Sequence, residues 1–143
     1  MADYWDTSCL LKLYCPEEDS EDFIALVEEA SGPPITSRLT QTEIFFAFHQ
    51  KAIRGETQGR SAEELFGFFE SDLEAERIRL IPWGEDVFRQ ARALASRCYE
   101  ANPPVFLRSL DGIHLASAVL ASCKKIHTTD ERMRQAIQQM PLF

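Results

Sequence analysis

What most constrains this chain is an alternation of short apolar segments of strand character with runs of helical periodicity, each pair separated by polar or Pro/Gly punctuation. Tyr4-Trp5 stops at Asp6, and Thr7 to Cys15 carries Leu10, Leu11 and Leu13 before Pro16 ends the run, which predicts a strand followed by a helix. Ser20 opens a second amphipathic helix that Gly32, Pro33 and Pro34 terminate, and Ile35-Thr36-Ser37 follows as a second strand. Thr40 is placed to cap a helix from Gln41 to about Arg54. Ser61 with Glu64 three residues later forms a capping-box start for a helix to about Glu76. Ile78, Leu80 and Ile81 alternate with arginines, as a half-buried strand does. Helices are then predicted from Asp86 to Tyr99 and from Leu107 to Ser122, a strand over Lys125 to Thr129, and a last helix from Glu131 to about Gln139. Pro141-Leu142-Phe143 reads as a short edge strand. Strands that alternate with helices predict an α/β fold of three layers, a mostly parallel sheet of four to five short strands with helices on both faces.

Composition narrows the functional classes. The 143 residues, 45% hydrophobic and 27% charged, suit one globular domain spanning 1–143. The longest stretch without Asp, Glu, Lys or Arg, Gly112 to Cys123, falls well short of the roughly 20 apolar residues that span a bilayer. No membrane association is expected. Asp3 and Asp6 precede any basic residue, unlike a secretory leader. Cys9, Cys15, Cys98 and Cys123 include no C-x-x-C pair and read as small buried hydrophobes in a reduced, cytoplasmic protein. The net charge of -8 is opposite in sign to the broad positive field of a generic nucleic-acid binder. Seven acids between Glu17 and Glu29, with no base among them, read as a solvated helix face.

In open parallel sheets ligands bind beyond the carboxyl ends of the strands, and Asp6 and Asp130 each stand after a predicted strand. Glu43 lies in the first turn of one helix and Asp111 near the start of another, so four acids can converge. Clustered carboxylates repel unless a cation intervenes, and an all-oxygen donor set favours magnesium or manganese. The competing account of each acid is a helix cap or a first-turn acid complementing the helix dipole.

Four segments in order resemble the PIN-domain ribonucleases of the VapC type, the toxins of toxin-antitoxin pairs. They are Asp6-Thr7-Ser8 with Leu13-Tyr14 and Pro16-Glu17-Glu18 behind it, Thr36-Ser37-Arg38-Leu39-Thr40 leading to Glu43, Arg108-Ser109-Leu110-Asp111-Gly112-Ile113-His114-Leu115-Ala116, and Thr128-Thr129-Asp130-Glu131-Arg132-Met133. The resemblance runs end to end. It implies a PIN-like, Rossmann-like fold and a metal-dependent endoribonuclease that leaves 5'-phosphate and 3'-hydroxyl ends. Asp6, Glu43, Asp111 and Asp130 would gather Mg2+, with Mn2+ as a substitute, around the scissile phosphate of RNA. Thr7, Ser8 and Thr129 would donate hydrogen bonds to these acids or to bound water, and capping is an equal account of Thr7. The partners implied are the RNA, a small antitoxin protein and a second copy of the chain.

The sequence departs from the family pattern in Trp5, where an aliphatic residue is common, in Gly112, where alanine is frequent, and in a short tail. Arg108 either pairs with an acid or RNA phosphate or is a solvated arginine at a helix start. His114, one turn beyond Asp111, reads as an imidazole hydrogen-bonded in a helix interface rather than as a catalytic base. The phenylalanines at 45, 46, 48, 66, 68 and 69 exceed what one small core hides, so part of them is expected at a dimer or antitoxin surface. An aspartyl-nucleophile phosphatase would want an acid at position 8, where Ser stands, and a receiver-like domain would want a lysine near Thr128-Thr129. The rival from another class is a non-catalytic PIN-like domain that binds RNA or protein.

Overall fold

The computed structural model describes residues 2–140, so the edge strand expected at Pro141-Leu142-Phe143 lies outside the described residues. Four strands, β1 (Tyr4–Trp5), β2 (Ile35–Ser37), β3 (Arg79–Ile81) and β4 (Ile126–His127), pair in the order β3-β2-β1-β4. Every pairing is parallel. Strand pairs of this kind need crossovers, and the helices that supply them cover both faces of the sheet.

Period-two alternation divides the two faces at β1. Trp5 packs into a core with α1 (Thr7–Leu11), α2 (Ser20–Glu29), α3 (Leu39–Ile53) and α4 (Ala62–Glu74), built around Cys9, Leu10, Ile44, Phe48, Leu65 and Phe69. Tyr4 points the other way, into a cluster with Ile35, Ala118 and Cys123. On that side α5 (Glu85–Glu100), α6 (Ser109–Leu120) and α7 (Glu131–Gln138) enclose a second core around Leu94, Leu115 and Met133. Fully burying a side chain of this size is worth about 1.5–3 kcal/mol, so these two clusters supply most of the drive to fold.

Several boundaries differ from the sequence expectation. The first helix ends at Leu11 instead of Cys15, because the chain closes into separate turns in which Lys12 and Leu13 donate to the carbonyls of Cys9 and Leu10. Helix α3 begins at Leu39, so Thr40 lies inside the helix, fully buried, and is not its cap. Ser37 takes the capping role through Oγ, which accepts the Leu39 N–H at 3.1 Å. The capping box at Ser61 and Glu64 forms as its spacing predicts.

The acidic run beyond Glu17 is partly tied down, since the buried Lys12 ammonium pairs with Glu17 at 3.2 Å and Asp19 at 2.7 Å. Trp5 sits edge-to-face against Phe23 and tilted over His127, filling a space larger than an aliphatic side chain occupies. All four cysteines are free and buried, and burial pushes the Cys9 thiol up to about 12. No helix among the described residues is long and apolar enough to cross a membrane.

Candidate active site

The carboxyl ends of β1 and β4 and the first turns of α1, α3, α6 and α7 surround an open cavity of about 430 Å³. Asp6, Glu43, Asp111 and Asp130 all line it, with Thr7, Ser8, Thr129, Arg108 and His114.

Asp6 ends β1 and caps α1. Its Oδ1 accepts the Cys9 backbone N–H at 3.2 Å and the Ser8 hydroxyl at 2.5 Å, and its Oδ2 accepts the Thr128 hydroxyl at 2.5 Å. A carboxylate so buried is tolerable because three donors replace its water shell. Thr128 also accepts the Asp130 N–H at 3.1 Å, which ties the end of β4 to β1. Asp130 in turn caps α7, its Oδ1 accepting the Met133 N–H at 3.0 Å. The Thr129 hydroxyl donates to Ser8 Oγ at 3.0 Å and so reaches Asp6 only through Ser8.

Glu43 Oε1 accepts the Thr7 hydroxyl at 2.6 Å and stands 2.6 Å from His114 Nε2. The other face of the imidazole meets Tyr4, whose Oη lies 2.6 Å from Nδ1 and also accepts the Ser37 N–H at 3.0 Å. With one Tyr4 lone pair committed to Ser37, the single hydroxyl proton points to Nδ1; a neutral ring then carries its proton on Nε2 and donates it to Glu43. Burial works to raise the Glu43 carboxyl, but the hydrogen bond and electrostatic attraction of His114, the Thr7 bond and the Arg108 charge outweigh it and hold the group below the ordinary carboxylate range. Burial, reinforced by the nearby Asp6 and Glu43 carboxylates, drives the Tyr4 hydroxyl far above the usual tyrosine value.

Arg108 bridges the remaining pair. Its Nε donates to Asp111 at 2.7 Å and its Nη2 to Asp130 at 2.8 Å, while the side chain stays 59% exposed. Arg108 is thus paired with two acids while still more than half exposed. His114, 3% exposed, is the hydrogen-bonded interface imidazole of the sequence reading, and it also touches a cavity acid.

The donor set fits a hard divalent cation. Besides the oxygens already bonded, Glu43 Oε2 and Asp111 Oδ1 have no hydrogen-bond partner among the described residues, and apart from the His114 imidazole, whose Nε2 is engaged with Glu43, the ligand candidates in the cavity are oxygens of carboxylates and hydroxyls. In the present conformation Arg108 supplies the local positive charge, and no three His, Cys, Asp or Glu side chains among the described residues already stand as a metal cluster. Tyr4, Thr36, Thr40 and Thr128 were not singled out by sequence as parts of this site. Thr40 joins Thr7 at 3.1 Å and Thr36 at 2.7 Å beneath Glu43. No spacing rule reveals such contacts, because they join segments up to 122 residues apart.

A parallel α/β sheet with an acid-lined cavity at the carboxyl ends of its strands defines a small class of domains. The PIN-domain family model matches residues 4–137, and the chain belongs to that family. A solved structure described as a toxin-antitoxin complex from Klebsiella pneumoniae has a similar fold, with a TM-score of 0.64 at 15% identity, covering 99% of this chain and 98% of that one. No curated protein matches the chain.

Proposed function

We propose that this PIN-domain chain is a Mg2+- or Mn2+-dependent endoribonuclease of the cytoplasm that serves as the toxin of a toxin-antitoxin pair. One observation carries the proposal: Asp6, Glu43, Asp111 and Asp130, contributed by four separate segments, line one cavity. A bound divalent ion would supply charge compensation at the scissile phosphate and lower the pKa of the attacking water. Water attacks phosphorus and the 3'-oxygen leaves with a proton, giving 5'-phosphate and 3'-hydroxyl ends.

The chain's own residues prepare that step. Ser8 and Thr128 hold Asp6, and Thr7 and His114 hold Glu43, so two of the four acids are oriented before anything binds. The exposed guanidinium of Arg108, at the cavity wall, is placed to exchange an acid for an RNA phosphate oxygen.

A neighbour of like fold is a toxin-antitoxin complex, which with the four resembling segments supports an antitoxin partner. Homodimerisation is supported by the aromatic helices: Phe48 and Phe69 are core, whereas Phe46 is 64% and Phe68 46% exposed. Phe46→Glu should shift the sedimenting species toward monomer, and an unchanged dimer would remove these residues from the interface.

The activity is tested with purified protein, a mixed RNA pool, and magnesium, manganese or EDTA. Metal-dependent cuts with 5'-phosphate ends are expected, reduced at least about a hundredfold in Asp111→Asn, a loss of several kcal/mol of charge stabilisation. Cleavage that persists in EDTA, 5'-hydroxyl products, or no cleavage would each overturn it.

A further inference from the structure

A second cavity, of about 550 Å³, opens beside the first and is lined by Arg38, Leu39, Gln41, Thr42 and Trp83. Its volume lies within the range of small-molecule sites, about 300–1,000 Å³. Two features separate it from an ordinary surface dent. Trp83, 44% exposed, puts a large aromatic ring in the cavity wall. The side chains of Arg38, Gln41 and Thr42 make no hydrogen bond or ion pair among the described residues, so a cation, an amide and a hydroxyl all stand free around that ring.

The indole is held in place. Its Nε1 donates to Ser37 Oγ at 3.2 Å, and the ring lies edge-to-face with Phe88 at 5.4 Å. Ser37 is also the residue whose N–H binds Tyr4, and Tyr4 leads through His114 to Glu43. Hydrogen bonds joined through the covalent frame of Ser37 therefore link Trp83 to an acid of the first cavity. The two cavities are also adjacent along α3, since Leu39 lines one and Glu43, one turn further along the same face, lines the other.

We infer that Trp83 and Arg38 form a nucleotide subsite, in which an unpaired base of single-stranded RNA stacks on the indole and a neighbouring phosphate meets the guanidinium. This rests on the ribonuclease reading and names the part of the substrate that reading leaves open. A net charge of -8 repels RNA at long range, so affinity has to come from short-range contacts, and stacking is the strongest of these that tolerates any base. Gln41 and Thr42 offer donors and acceptors to the edge of the stacked base. A duplex keeps its bases paired and cannot use the subsite.

The test is binding of a ten-nucleotide oligoadenylate in EDTA, where no metal is present to support cleavage. Of the two tryptophans Trp5 is only 3% exposed, so saturable quenching of tryptophan fluorescence reports on Trp83. Quenching is expected with the single strand and not with its annealed duplex. By anisotropy of a labelled oligomer, Trp83→Leu should bind about tenfold more weakly, whereas Trp83→Phe, which still stacks and serves if the leucine variant does not fold, should stay within about threefold of wild type. Arg38→Gln should weaken binding and reduce the slope of log K against log salt by about 1. Wild-type affinity in Trp83→Leu, no quenching, or equal quenching by the duplex would overturn the subsite. If metal-dependent RNA cleavage is retained alongside any of these results, the subsite alone falls; if oligoadenylate binds through Trp83 and no RNA is cut, the ribonuclease reading falls alone.

Discussion

Replacing Tyr4 with phenylalanine removes one oxygen from the seam between the sheet and α6. That oxygen is fully buried, accepts the Ser37 N–H at 3.0 Å and donates to His114 Nδ1 at 2.6 Å. The variant leaves both groups without their partner, and neither can turn to water. A change of histidine tautomer offers no escape, because it would place the Nε2 lone pair 2.6 Å from Glu43 Oε1. A buried polar group left unsatisfied costs about 1–3 kcal/mol, so the pair should cost about 2–6 kcal/mol in stability. In a domain of this size each kcal/mol moves Tm by about 2–4 °C, which predicts a fall of roughly 4–24 °C. Urea denaturation at neutral pH measures the loss, and 15N spectra of the imidazole report whether Nε2 still carries the proton. A loss under about 0.5 kcal/mol, against the cost of two unsatisfied groups, would refute the hydrogen-bond chain.

Arg108→Gln frees Asp111 and Asp130 from two half-exposed ion pairs worth about 0.2–1 kcal/mol each, so Mn2+ titrated without RNA should bind roughly two- to thirtyfold more tightly; weaker binding would mean that Arg108 organises the acids instead of competing for them. Glu43, held below the ordinary carboxylate range, contributes stability that is present above its unfolded value of about 4.3 and is lost as pH falls through its lower folded value. Tm measured against pH in metal-free buffer should therefore fall less steeply below about pH 4.3 in Glu43→Gln than in wild type, and parallel curves would contradict this. At Gly112 an added Cβ would lie 3.7 Å from Leu107 and 3.9 Å from Ala91, ordinary contact distances, so Gly112→Ala should raise stability by up to about 1 kcal/mol, seen as a higher urea midpoint.

What was legible in the sequence was whatever local chemistry decides. The alternation of strands and helices is visible because the strands stop at polar residues or, for β3, at Pro82, and some helices carry their own start signal, as at Asp6 and at Ser61 with Glu64. Thr40 misled because a threonine before an apolar run looks like a cap, while tertiary contacts with Thr36 and Thr7 reward burying it and Ser37 caps from one turn earlier. Lys12 to Cys15 misled because leucine periodicity cannot tell a helix from successive turns. The acids could be gathered from their places after strands and at helix starts, whereas the Tyr4–His114–Glu43 chain spans separations of 110 and 71 residues and leaves no local trace.

Capping and lining the cavity compete as explanations of an acid in the sequence, yet they are compatible in the structure because a carboxylate has two oxygens. Asp130 caps α7 with Oδ1 and meets Arg108 with Oδ2. The two roles therefore separate by substitution. Asp130→Asn keeps an oxygen for the Met133 N–H and loses the charge, forfeiting only a partly exposed ion pair of about 0.2–1 kcal/mol. Asp130→Ala loses the cap as well, a further 0.5–2 kcal/mol or so. Melting in metal-free buffer should rank wild type, Asn and Ala in descending order, with Asn within about 4 °C of wild type. The stabilisation that Mn2+ confers should shrink equally in both variants, since both lack the charged oxygen. If Asn retained the full Mn2+ effect while Ala lost it, the second oxygen of Asp130 would not be a ligand, and its place in the cavity would reduce to holding the helix.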